Sequence, residues 1–202
     1  MIRPRAGDFL YTPGEFDTMR RDVDTALDMG ANGIMCGILD ADGNLDTKRM
    51  ATLIAQCGDT PFALHRAFDF SRDPLATLEQ AVALGCRYAL TMGQESEALF
   101  SAELRQEILA RAAGRIKVVL ALGADFDTAA ELPGVIRRTG ATEYHIVNGY
   151  RHRASAMRWT RNDGTRSDYL RETMFSIDYL CEQAVREARD ILDRPEEKGR
   201  PA

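Results

Sequence analysis

The stretch PFALHRAFDFSRDPLATLEQAVALGCRYALTMG (residues 61–93) contains a complete strand–helix–strand unit. It opens with a short apolar run and continues through Asp73-Pro74, an N-cap and first-turn proline typical of a helix start. A second apolar run begins near Tyr88. Strands joined through a helix in this way run parallel, with a right-handed crossover. The unit therefore predicts an α/β protein built on a parallel sheet.

The same unit recurs along the chain. Apolar runs begin near Met1, Gly33, Pro61, Tyr88, Ile116 and Thr142, and the last five starts lie 28, 27, 28 and 26 residues apart. Helical segments are predicted between them at residues 15–30, 46–57, 73–85, 98–113 and 127–140, and a final helix at residues 172–192. Asp46 is the expected N-cap of the second helix.

Two architectures share this pattern, an open doubly wound sheet and a (β/α)8 barrel. The glycine-rich turn that would favour a nucleotide-binding open sheet is missing after the first run. Polar residues recur near the carboxyl ends of most strands, which favours the barrel. The sequence thus predicts a TIM-barrel-type α/β fold with about six βα units, the first two of eight being absent, in a single domain over residues 1–202.

Composition restricts the classes of function. The 202 residues are 45% hydrophobic and carry a formal net charge of −5, which is typical of a globular cytoplasmic domain and argues against nucleic-acid or membrane partners. Four widely spaced cysteines (Cys36, Cys57, Cys86 and Cys181) include no CxxC pair. That spacing suits reduced thiols better than disulfides or a zinc site.

Alternation along the strands predicts which polar side chains face the barrel interior. The predicted interior set is Arg3, Arg5, His65, Thr91, Glu143 and His145, with Asp40, Arg66 and Asp69 at strand-to-loop junctions. In one interpretation Arg3 or Arg5 simply neutralises Glu143. In the other the set is a site, where Arg3, Arg5, Arg66 and Thr91 bind an anion. His65, Glu143, His145 and Asp69 are then the candidate acids and bases, and the two histidines with Glu143 could instead hold a divalent metal.

Two further features of the sequence each allow two interpretations. Cys36, with Met35 and Met92, offers soft metal ligands, but Cys36 alternates with Ile34 and Ile38 on the apolar side, which favours a place in the core. The arginine-rich residues 151–171 read either as a solvated loop or as a lid that attracts anions over the barrel.

Six segments together resemble the CutC family of copper homeostasis proteins. They are IRPRAGDFLY (residues 2–11), GILDADGNLD (37–46), LHRAFD (64–69), RYALTMG (87–93), EYHIVNG (143–149) and SAMRWTRN (155–162). The resemblance implies a barrel, a cytoplasmic and often oligomeric protein, and a link to Cu(I). The cysteines proposed as Cu(I) ligands in the family lie in an opening segment without counterpart here. The matching polar positions are Arg3, Arg5, Asp8, Asp40, His65, Arg66, Asp69, Thr91, Glu143 and His145.

Two functions of different classes follow. The first is a copper-handling protein, as the resemblance implies, with weak Cu(I) affinity because soft ligands are not clustered. The alternative is an enzyme that acts on a small anionic metabolite at the carboxyl ends of the barrel strands. Strand edges left open by six units predict an altered closure of the barrel, association with another copy of the chain, or poor solubility.

Overall fold

The computed structural model describes residues 1–93, 102–123, 127–146, 150–154 and 176–194. Six α-helices lie in these residues: α1 (Pro13–Asp28), α2 (Thr47–Cys57), α3 (Pro74–Ala83), α4 (Ala102–Ala112), α5 (Thr128–Thr139) and α6 (Glu182–Asp193). The strands are β1 (Ile34–Cys36), β2 (Phe62–Leu64), β3 (Tyr88–Thr91), β4 (Lys117–Leu122), β5 (Glu143–Ile146), β6 (Tyr150–Ala154) and β7 (Ser176–Leu180). A 3-10 helix, Arg66–Phe70, follows β2.

Strands β1 to β5 form one parallel sheet in the order of the chain, β1-β2-β3-β4-β5. A doubly wound sheet reverses its strand order at a switch point, whereas successive strands of a barrel lie side by side. This order, with a helix after each of the first four strands, confirms the predicted TIM-barrel-type α/β fold.

Local sequence starts the helices where the pattern predicts. The side chain of Asp46 accepts the N–H of Arg49 at 3.0 Å and caps α2, as expected. Asp73 accepts two N–H groups of the first turn of α3, with Pro74 at the first helical position. Thr12 and Glu15 form a reciprocal capping box at the start of α1. These caps pair backbone donors that a helix start otherwise leaves exposed.

The two faces of the sheet bury different side chains. One face packs on the helices and forms the main core, to which Ile34, Cys36, Phe62, Leu64, Ala89, Val118, Leu120 and Leu122 belong. The other face carries a smaller apolar group, here called the inner-face cluster, made of Met35, Leu90, Met92, Val119 and Ala121. The prediction that Phe62 and Leu64 face the helices is confirmed.

Two predicted elements differ in the structure. Residues 2–5 form no strand, since Pro4 has no N–H to donate; one bond from the Ile2 N–H to the Met35 carbonyl, 2.8 Å, holds the segment beside β1. The last helix starts at Glu182 rather than 172, because SIDYL alternates with the period of a strand and pairs as β7, antiparallel to β6. Most of the predicted lid, residues 155–171, lies outside the described residues.

Among the described helices, none combines the length and the apolar character needed to cross a bilayer.

Candidate functional site at the barrel mouth

His65 lies directly after β2, at the carboxyl end of the sheet. The side chain is 2% exposed. Backbone dihedrals at His65 continue the extended strand, and the residue caps the 3-10 helix by accepting the N–H of Ala67 on Nδ1 at 3.1 Å. A neutral imidazole has one donor and one acceptor nitrogen. Because Nδ1 accepts, the ring proton is on Nε2.

Burial keeps this imidazole neutral. The pKa of His65 is lowered to about 4, chiefly because the desolvated ring disfavours the charged form, and further by the nearby positive charge of Arg3. Nε2 itself is buried and has no hydrogen-bond partner in the described part of the chain. A neutral ring at pH 7 is a hydrogen-bond donor rather than a strong general acid or base.

Gly37, just past β1, lies against the imidazole. A Cβ atom built at this glycine would lie 2.7 Å from Nδ1 of His65 and 2.7 Å from the Cβ of Ala67. Such distances are inside van der Waals contact, so only glycine leaves room for the ring. The position of His65 is therefore set from both sides, by the 3-10 helix and by the end of β1.

Two aromatic rings and two guanidinium groups form a chain of contacts that begins at the His65 ring, and we call them the rim: Arg3, Phe9, Arg66 and Phe70. The Phe9 ring lies 5.0 Å from the His65 ring and 5.4 Å from the Phe70 ring. Arg3 lies over Phe9 at 4.7 Å and Arg66 over Phe70 at 5.8 Å. Neither phenylalanine was singled out from sequence; their only signal is a place in the quoted GDF and HRAFDF segments.

Asp69 ties the 3-10 helix to the end of β3. Its buried carboxylate accepts the Thr91 hydroxyl at 2.6 Å, the Met92 N–H at 3.0 Å and the Arg66 Nε–H at 3.1 Å. Thr91 shares a face with Ala89 and is paired with Leu120, both in the main core, so the prediction that Thr91 points into the barrel is wrong. Leu90 points inward instead. The bond between Asp69 and Thr91 therefore joins the 3-10 helix to the end of β3.

Arg5 is occupied within its own loop. Its Nε donates to Glu15 at 2.6 Å, and its Nη2 donates to Asp8 at 2.8 Å and to the Leu10 carbonyl at 2.8 Å. These bonds join the segment before α1 to the first turn of that helix. The expected shared strand face of Arg3 and Arg5 does not form, and Arg3 alone of the two belongs to the rim.

Glu143 and His145 lie apart from His65. Both are in register with inner-face residues, Val119 and Ala121, so their predicted inward orientation is confirmed. However, β5 is three strand positions from β2, roughly 14 Å along the sheet. Glu143 pairs with Lys117 Nζ at 2.8 Å, and His145 is exposed. The sequence-predicted cluster is thus divided between two strands.

The soft ligands predicted for copper do not converge. Cys36 belongs to the main core while Met35 and Met92 belong to the inner face, on the opposite side of the sheet. Burial raises the pKa of the Cys36 thiol to about 12, and Cu(I) binds thiolate rather than thiol. No group of three or more His, Cys, Asp or Glu suited to a metal occurs in the described ranges. These residues do not fit a copper site.

A parallel sheet in barrel order, with a buried polar group at the carboxyl ends of its strands, defines the class: an α/β protein of the TIM-barrel type. The CutC family matches residues 1–150, and the chain belongs to that family.

The relatives are longer than this chain. A family protein CutC from Pasteurella multocida is 38% identical over 162 residues, 80% of this chain and 65% of the relative. The human copper homeostasis protein cutC homolog is 40% identical over 145 residues, 72% of this chain and 52% of the relative. The crystal structure of a copper homeostasis protein CutC from Streptococcus agalactiae matches with a TM-score of 0.67 and 26% identity, over 72% of this chain and 70% of the other.

Replacing Gly37 with alanine tests the close approach at the ring. Gly37→Ala is expected to lower the free energy of unfolding by about 2 kcal/mol, because the new Cβ must displace His65 or Ala67. Chemical denaturation measures the change. Gly14→Ala is the matched control, since a Cβ there meets nothing within 4 Å, and it should leave stability within about 0.5 kcal/mol. Equal effects of the two substitutions would contradict the proposed packing.

The lowered pKa of His65 predicts a pH-dependent stability. Between the ordinary pKa of 6.5 and the folded value of about 4, the unfolded state binds more protons, so stability falls as pH falls. Between pH 7 and pH 5 this one group removes about 2 kcal/mol. Carboxylates contribute equally to wild type and His65→Gln, so the difference between their denaturation curves isolates the ring. Identical pH dependence in the two proteins would show that His65 is not buried and neutral.

Proposed function

We propose that this chain takes part in copper homeostasis in the cytoplasm. The proposal rests on membership of the CutC family and on relatives that carry the name copper homeostasis protein. The chain spans 65% and 52% of the two relatives compared above. The activity of the full-length proteins is therefore proposed for this chain.

Within this role, we do not assign Cu(I) to the thiols of the barrel. Cys36, Cys57 and Cys86 are all buried and have raised pKa values, about 12 for Cys36 and about 11 for Cys86. Desolvation is the cause in each, and it opposes the thiolate that Cu(I) requires. The proposed role in copper homeostasis therefore does not depend on Cu(I) bound by these three buried cysteines.

A bacterial host deleted for its own CutC member tests the role. Expression of this chain is expected to restore growth at raised copper, and Cys36→Ala is expected to restore it equally, because that thiol stays protonated. Growth rate against copper concentration is the measurement, with chain abundance checked by immunoblot. Failure of the abundant wild-type chain to restore growth overturns the role.

A Cu(I) titration of the purified protein against a competing chelator is the control for the thiols. We expect no stoichiometric tight complex, and slow alkylation of Cys36 in the folded protein at pH 8. A tight complex that Cys36→Ala abolishes would contradict the assignment, since it would place copper on that thiol.

The second candidate is binding of a small anionic metabolite at the barrel mouth, with turnover if the ligand is a substrate. The observation that favours it is the rim, in which Arg3 has no carboxylate ion-pair partner among the described residues. A guanidinium beside aromatic rings and a buried imidazole N–H recognises an anion with an apolar part. Copper handling does not require such a group.

We also propose that the chain forms a homo-oligomer. Strands β1 and β5 are the edges of the described sheet, and exposed strand edges favour pairing with another chain. Light scattering during size exclusion is expected to give a mass of at least twice 22.5 kDa. A mass equal to one chain at micromolar concentration would contradict the proposal.

A further inference from the structure

A buried hydrogen-bond donor at the barrel mouth has no acceptor. The Nε2 atom of His65 is enclosed in a side chain that is 2% exposed, and it forms no hydrogen bond within the described residues. Gly37 lies close to the Nδ1 edge of the ring, and the bond from the Ala67 N–H to Nδ1 fixes the orientation of the imidazole. Buried polar atoms are nearly always paired, by protein, water or a bound molecule. An unpaired atom in this position indicates a place for a ligand atom.

The tautomer of His65 decides which kind of ligand atom can bind its Nε2 atom. The Ala67 N–H occupies the lone pair of Nδ1, so Nε2 carries the hydrogen and can only donate. A metal ion needs a lone pair on the nitrogen it binds, and Nε2 would offer one only if the ring moved its proton to Nδ1 and lost the Ala67 bond. The complementary group is therefore an oxygen acceptor and not a cation.

The charge and the aromatic rings of the rim restrict the class of ligand further. Arg3 contributes a positive charge close to the imidazole, and Arg66 lies over the Phe70 ring. The Phe70 ring is 61% exposed and offers an aromatic face to a bound molecule. Positive charge with an aromatic wall suits an organic anion that has an apolar body.

We propose that His65, as a neutral donor, binds an oxygen of a small organic carboxylate at the barrel mouth through its Nε2–H, with Arg3 neutralising the carboxylate charge. This inference rests on the anion-binding function proposed above and adds the donor atom and the ligand class. A neutral imidazole, kept uncharged by a helix start, polarises carbonyl oxygens in other enzymes. In this chain the N–H of Ala67, at the start of the 3-10 helix, fixes the same protonation state.

Phe9 packs beside the donor ring. Its ring lies 5.0 Å from the imidazole and belongs to the segment before α1, which has no helix or strand of its own. Under this proposal we expect the Phe9 ring to limit approach of a ligand to the buried imidazole, and Phe9→Ala to speed association of the ligand.

Nuclear magnetic resonance of protein with 15N-labelled histidine tests the proposal. The chain has three histidines, and the His65 signals are those lost in His65→Gln. Benzoate is the organic carboxylate probe and inorganic phosphate the comparison anion. We expect His65 to show one protonated and one bare nitrogen at pH 7, and benzoate to shift its Nε2–H signal. His65→Gln and Arg3→Gln should each weaken benzoate binding about tenfold, while His145→Gln, on distant β5, leaves it unchanged.

Several results would overturn the proposal in distinguishable ways. Protonation on Nδ1 removes the donor. Benzoate that binds without moving the His65 signals leaves an anion site but removes His65 from it. Phosphate in place of benzoate refutes the carboxylate class. If neither anion binds and the Nε2–H contacts a long-lived water, the donor is structural and the anion-binding function fails with it. The copper role is tested separately by growth of the deletion host.

Discussion

The carboxylate of Asp69 is the polar group on which the mouth of this barrel depends. It is removed from water, with 3% of its side chain exposed, and is stabilised by the Thr91 hydroxyl, the Met92 N–H and the Arg66 guanidinium. A buried carboxylate without such partners costs several kcal/mol, so the 3-10 helix and the end of β3 are held at one separation. His65 caps the start of this 3-10 helix and Phe70 is its last residue, so the contact of Asp69 with β3 helps to position both.

The remaining contacts of the site are arranged around this fixed point. The N–H of Ala67 selects the tautomer of His65, and Gly37 leaves the space that the ring fills. Phe9 then covers the ring, carried by a loop that Arg5 ties to α1 through Glu15. Three segments thus position the same imidazole. One donates the Ala67 N–H, one leaves space at Gly37, and one carries Phe9 on a loop held by the ion pair of Arg5 with Glu15. Preorganisation of this kind is what a binding group requires, because little ordering remains to be done when a ligand arrives.

Burial has opposite effects on the binding properties of the thiols and of the imidazole. Desolvation makes both Cys36 and His65 favour their neutral forms, with pKa values of about 12 and about 4. A neutral thiol in the core is a poor ligand for Cu(I), while a neutral imidazole remains a good donor to oxygen. The same physical cause therefore weakens the copper site that the family name suggests and supports an organic ligand at the barrel mouth.

The sequence by itself determined the periodic features of this protein. The repeat of about 27 residues, the caps at Asp46 and Asp73 and the apolar face of β2 all follow from local spacing, because helix and strand periods are properties of neighbouring residues. Only the tertiary structure decided which polar residues meet. Asp69 and Thr91 are 22 residues apart and bond directly, whereas two strands separate β5, which carries Glu143 and His145, from β2, which ends at His65. The phase of β3, set by pairing with β4, turned Thr91 outward and Leu90 inward. Long-range register has no local signature, and so the composition of the site could not be predicted from pattern alone.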